Sequence, residues 1–96
     1  MIEKKLLDFS ARAIANMVNI VVHIAADDPA TALKVESCIF AAAENLEDFP
    51  MLGHAGQRAG TRELVLPKYP YTIVYRLTAN KVRIVAVTHQ SRKHPS

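Results

Sequence analysis

Residues 60–95 read GTRELVLPKYPYTIVYRLTANKVRIVAVTHQSRKHP. Three short apolar runs lie in this stretch, Thr61 to Leu66, Tyr71 to Leu77 and Val82 to Thr88, each bounded by turn chemistry. The second and third are rich in Val, Ile and Tyr, which suit a pleated, packed surface. Thr78-Ala79-Asn80-Lys81 between them predicts a hairpin turn, with Asn80 able to take a positive φ. The centres of these two runs, Ile73-Val74-Tyr75 and Ile84-Val85-Ala86-Val87, are apolar at successive positions. A strand of that kind has both faces covered, or one face awaiting a partner. The last run passes into a basic tail with His89, Arg92, Lys93 and His94.

Working outward toward the N-terminus, Gly53, Gly56 and Gly60 punctuate a polar loop, and Phe49-Pro50 ends the element before it. That element is a helix opened by Asp28-Pro29, the aspartate as cap and the proline at the first helical position. Ala32, Val35, Ile39, Ala42 or Ala43 and Leu46 form its inner stripe, to about Glu47. A first helix begins after Ser10, a candidate N-cap. Its residues Ile14, Val18, Val21 and Ala25 recur at helical spacing and predict the core-facing stripe. Met17, Ile20 and Ile24 form an adjoining stripe, so the helix is apolar over more than half its circumference. The excess predicts a covering partner, placed on Met17, Ile20 and Ile24. The short joint at residues 27–29 makes the two helices an antiparallel hairpin. Residues 3–9 predict a further strand carrying Leu6, Leu7 and Phe9. The expected architecture is α+β, in the order β-α-α-β-β-β: a helical hairpin on one face of a small twisted antiparallel sheet of about four strands.

With 96 residues, half of them hydrophobic, the chain is read as a single domain over residues 1–96 that needs no staples. Its one cysteine, Cys38, cannot form an internal disulfide and fits a reducing cytoplasm; mid-helix, it reads as a small packed residue. No apolar run reaches the ~20 residues of a membrane span, and Met1 to Ser10 has no signal-peptide pattern. The net charge is +3, but it is unevenly spread: residues 1–57 hold four basic and eight acidic residues, residues 58–96 eight basic and one acidic. An anionic partner would therefore meet the sheet half. His23, His54, His89 and His94 lack ligand spacing, so no metal or other cofactor is expected. The glycines of residues 53–60 do not follow the strand–loop–helix order of a phosphate-binding loop.

Several motifs in this order resemble the RelE/ParE superfamily of type II toxins. They are Asp-Asp-Pro-Ala-Thr-Ala at 27–32, Phe-Pro-x-Leu-Gly at 49–53, Gly-Thr-Arg-Glu-Leu at 60–64, Tyr-Pro-Tyr-x-Ile-Val-Tyr-Arg at 69–76 and Val-Arg-Ile-Val-x-Val-x-His at 82–89. They cover nearly the whole chain. The resemblance implies a growth-inhibiting toxin of a plasmid-stabilisation module, neutralised by a cognate antitoxin protein. It also implies one of two targets: DNA gyrase for ParE-like members, or ribosome-bound mRNA for RelE-like ribonucleases. The hairpin opened by Asp27-Asp28-Pro29 and the His-Gln-Ser at 89–91 are similar to the ParE side. The target-binding surface is then expected at His89, Gln90, Ser91, Arg92 and Lys93.

Metal-free RNA cleavage needs a base, an acid and cations around the phosphorane. In the register the resemblance implies, the two RelE lysines are replaced by Glu63 and Val65, and an arginine by Thr72. The RelE tyrosine would fall beyond Ser96, and only Arg92 matches the catalytic arginine. A ribonuclease would have to rely on His89, Arg92, Arg62 and Arg76. Each has a second reading. His89 can be a strand-end histidine facing solvent or a neighbour, and Arg62 can belong to a surface ion-pair set with Glu63 and Arg76. Tyr69, Tyr71 and Tyr75 can stack on RNA or pack the sheet, with Tyr71 or Tyr75 in the core.

Overall fold

The Ser10 hydroxyl accepts the Ala13 N–H at 3.0 Å and starts the first helix, as the residue type predicts. The same hydroxyl donates to the Val85 carbonyl at 3.1 Å, tying the helix start to the last strand. The computed structural model describes residues 4–90. Its elements are β1 (Leu6–Phe9), α1 (Ala11–Ala25), α2 (Pro29–Asp48), β2 (His54–Ala55), β3 (Arg62–Val65), β4 (Tyr71–Leu77) and β5 (Lys81–His89). Among the described residues no helix is long and apolar enough to cross a membrane.

Asp28 caps α2: one carboxylate oxygen accepts the Thr31 N–H at 3.1 Å and the other the Thr31 hydroxyl at 2.6 Å. The bond from the Thr31 hydroxyl, then that from its N–H, hold the Asp28 carboxyl below the ordinary aspartate range. A lowered folded-state pKa means the cap's contribution is fully present above the unfolded aspartate value and is lost as pH falls through the folded value. Removing the hydroxyl in Thr31→Ala should therefore move the Asp28 titration midpoint upward. An NMR pH titration of the Asp28 carboxyl checks this, and an unmoved midpoint contradicts it.

The five strands form one sheet in the order β1-β5-β4-β3-β2. The β2–β3, β3–β4 and β4–β5 pairs are antiparallel, as expected for the hairpin half. Two features differ from expectation. The sheet has a fifth, two-residue strand at His54–Ala55, and β1 pairs with β5 in parallel, Leu7 opposite Val82 and Phe9 opposite Ile84. The sheet is therefore mixed. The cause of the parallel pairing lies in α1, which does not turn back after β1. It continues alongside the second half of β5, where Asn16 meets Val87. The chain then reverses at the helix joint, in the loop of residues 49–61 and at two hairpin turns. An even number of reversals returns β5 in the direction of β1.

The core lies between the helices and one sheet face. It joins Val35, Ile39, Ala43 and Leu46 of α2 to Ile73 and Tyr75 of β4 and to Val82, Ile84 and Val87 of β5. Tyr75 pairs with Ile84 but Val74 pairs with Ala86, so Val85 is the extra residue of a β-bulge. The bulge resets the alternation, so Ile84 and Val87, three apart, both face the helices. That accounts for the unbroken apolar run, with Ala86 buried on the opposite face beside Val74.

The phase of α1 is the main correction. Ala13 is 0% and Met17 6% exposed, whereas Ile14 and Val18, expected in the core, are 52% and 53% exposed. Val21 is half-buried, as is Leu64. Ile20 and Ile24 pack partly buried against the core. The stripe expected to meet a partner is thus the one turned inward. Periodicity gives the spacing of a stripe; where apolar residues cover most of the helix it cannot say which stripe faces in. Ala13 is small enough to let α1 approach the sheet closely.

Candidate functional site

Tyr71 and His89 face each other across β4 and β5, their rings edge to face with centroids 5.3 Å apart and planes at 86°. Gln90 extends this end: its N–H donates to the Pro70 carbonyl at 2.8 Å and its side-chain amide to the Tyr71 carbonyl at 3.4 Å. The strand end is therefore held in place up to Gln90. Ser91, Arg92 and Lys93, the rest of the expected target surface, lie outside the described residues, as does Arg92 in its expected catalytic role.

The other members of the expected catalytic set do not converge. Arg62 pairs across the strands with Tyr75, and His89 with Tyr71. These positions are four residues apart on β4, roughly 13 Å along the strand. Arg62 donates to the Met51 carbonyl at 3.2 Å and also to the Gly53 carbonyl. Its Nε is buried without a hydrogen bond. Its guanidinium anchors the 50–53 loop and is not presented to a phosphate. Tyr75 anchors the same loop, its hydroxyl donating to the Pro50 carbonyl at 2.8 Å and accepting the Gly53 N–H at 2.9 Å. A Cβ on Gly53 would lie 2.7 Å from both the Glu63 carbonyl and the Tyr75 hydroxyl, so only glycine fits this approach. Arg76 is exposed on the sheet face away from the helices, opposite Arg83, which pairs with Asp8. His89 points to the other face.

The register positions where RelE-type cleavage would need cations hold Glu63, Val65 and Thr72; Arg76 and Arg83, on the same sheet face, lie toward its other end. Glu63 is 6% exposed, with His54 Nε2 3.8 Å from its carboxylate and the Gln57 N–H 3.4 Å from it. Thr72 is fully buried. Among the described residues no three His, Cys, Asp or Glu side chains are grouped to hold a metal.

Two surfaces remain. The first is the exposed stripe Ile14, Val18 and Val22 on α1, spaced four apart, with Arg12 the only Lys, Arg, Asp or Glu in the helix. The second is a cleft of about 520 Å³ between α1 and the end of β5, walled by Asn16, Asn19 and His23 on one side and by Tyr71, Thr88 and His89 on the other. Sequence reasoning missed this cleft. Its trace was there in Asn16, Asn19 and His23, polar residues at helical spacing in an otherwise apolar helix. The loop residues Phe49, Met51 and Leu52, two of them in the family motif at 49–53, are all exposed apolar side chains.

Residues 7–94 match the family model described as ParE toxin of type II toxin-antitoxin system, parDE. The chain is 35% identical over 92 residues to the Sinorhizobium fredii protein named "Putative toxin Y4kP", covering 96% of this chain and 95% of that one. Its fold is similar to a chain of the chromosomal ParDE toxin–antitoxin system of P. aeruginosa, with a TM-score of 0.83, 21% identity, and 92% of this chain and 98% of that one covered. It is also similar to a chain of the RelBE2 toxin–antitoxin complex of Mycobacterium tuberculosis, with a TM-score of 0.62, 18% identity, and coverage of 93% and 94%.

Proposed function

The chain belongs to the ParE toxin family of type II toxin–antitoxin systems, and from that premise we propose that it arrests bacterial growth by binding DNA gyrase and not by cutting RNA. One observation carries the choice of mechanism. The register that would supply lysines and an arginine for cleavage holds the buried Glu63, Val65 and the buried Thr72, while Arg62 is committed to loop carbonyls. A carboxylate at that place repels a phosphorane instead of stabilising it. The toxic surface is the end of β5 and the basic tail: His89 and Gln90, continuing into Ser91, Arg92 and Lys93.

The cognate antitoxin is the second partner. Its amphipathic helix covers Ile14, Val18 and Val22 of α1, a helix-in-groove contact read at i, i+4 and i+8. This replaces the inward-facing Met17, Ile20 and Ile24. Acidic residues on the antitoxin would complement the basic sheet half.

Purified toxin should inhibit supercoiling by gyrase and leave ribosome-bound mRNA intact. Deleting residues 89–96 should raise the half-inhibitory concentration at least ~10²-fold, as loss of a contact centre does. Antitoxin binding through α1 should survive the deletion. Cleavage of ribosome-bound mRNA with gyrase unaffected would overturn the proposal. His89→Gln would then be expected to lower that cleavage by about 10²-fold or more.

A further inference from the structure

The edge of β5 is covered in an unusual way. β1 pairs with its first half only, as far as Ile84. Beyond that point the Ser10 hydroxyl donates to the Val85 carbonyl, and the Asn16 side-chain oxygen accepts the Val87 N–H at 3.1 Å. Side chains of α1 thus occupy edge groups that an added strand would need. The cleft beside them is therefore unsuited to an extended peptide and suits a discrete molecule with its own hydrogen-bonding edge.

Besides two histidines the polar side chains around the cleft are amides and hydroxyls; among the described residues no Lys, Arg, Asp or Glu lines it. Tyr71 is 8% exposed, its ring packed in the core, and its hydroxyl makes no hydrogen bond among the described residues. Because the Asn16 oxygen is held by Val87, its amide N–H₂ is left as a donor. Asn19 is exposed and its amide offers a donor and an acceptor side by side. Ile20 and Val87 supply an aliphatic floor. A nearly enclosed phenol, two amides and an apolar floor, with no Lys or Arg among the described lining residues, fit a planar, uncharged ligand bearing adjacent donors and acceptors. An asparagine amide matches the N6/N7 edge of adenine in this way.

We propose that the cleft between α1 and the end of β5 binds a purine nucleobase or nucleoside, with Asn19 reading the base edge and the Tyr71 hydroxyl and Asn16 amide as further hydrogen-bonding groups. A phosphate would call for a lysine or arginine in the wall, and among the described residues the wall has none. This does not depend on which target the toxin poisons.

The test is an NMR titration of adenosine into the ¹⁵N-labelled full chain without antitoxin. Saturable shifts are expected at the side-chain amides of Asn16 and Asn19 and at the Val87 backbone. Tyr71→Phe and Asn19→Ala should each weaken binding about two- to tenfold, the range for one neutral hydrogen bond. Ribose 5-phosphate should produce no saturable shift. Asn19 is on the surface, so its variant decides the matter if Tyr71→Phe does not fold. Absence of saturable adenosine shifts, unchanged affinity in Asn19→Ala, or equal binding of ribose 5-phosphate would overturn the assignment.

Discussion

Replacing Tyr75 with alanine should lower the unfolding free energy by about 3–5 kcal/mol, the range for a large buried aromatic side chain. Domains of this kind have only ~5–15 kcal/mol in total. The side chain is fully buried among residues of both helices and the sheet. It has a second role at its tip, where the hydroxyl joins the Pro50 carbonyl and the Gly53 N–H and so fixes the loop that also receives Arg62. Tyr75→Phe keeps the ring and removes that joint. It should cost about 1–3 kcal/mol, because buried backbone groups lose their partner. Urea unfolding of the two variants separates the packing loss from the hydrogen-bond loss. Equal losses would mean that the ring itself contributes little.

Val18→Asp should leave the toxin folded and toxic but weaken antitoxin binding by about 10²-fold or more. Val18 is the centre of the exposed α1 stripe, flanked by Ile14 and Val22. If the antitoxin helix seals this stripe, an aspartate there becomes a buried, unpaired charge, and such a charge costs about 3–5 kcal/mol. In cells, co-expressed antitoxin should then fail to restore growth. Met17→Asp makes the contrast, because Met17 lies in the core and that change should unfold the protein instead. Measured affinity of the purified Val18→Asp toxin for its antitoxin decides the point; unchanged affinity would place the antitoxin elsewhere.

Much of the fold was legible in the chain because it rests on short-range chemistry. Asp28-Pro29 announces α2 through a cap and a proline that needs no N–H, and both are found in those roles. Val35, Ile39 and Leu46 repeat at helical spacing on one face of α2, and all three are buried. The site was legible only in part. His89 stands at the end of β5 as expected, but Arg62 and Arg76 were grouped with it on residue type alone. The pleat and the strand register separate them, since side-chain direction alternates along a strand while charge does not.

What the sequence determined by itself, then, is the order of elements, the two helix starts, the three C-terminal strands and the membership of a toxin family. Each follows from capping, turn residues, local periodicity or motif order. Only the tertiary structure decided which stripe of α1 faces the core, that β1 runs parallel to β5, that His54–Ala55 adds a strand, and that Arg62 holds a loop. The physical reason is common to all four. Each depends on how closely elements distant in the chain can approach: α1 nears the sheet because Ala13 is small, and the loop that receives Arg62 comes close to the Glu63 backbone and the Tyr75 hydroxyl because Gly53 lacks a Cβ. Periodicity within one element carries no information about the shape of the surface it will meet.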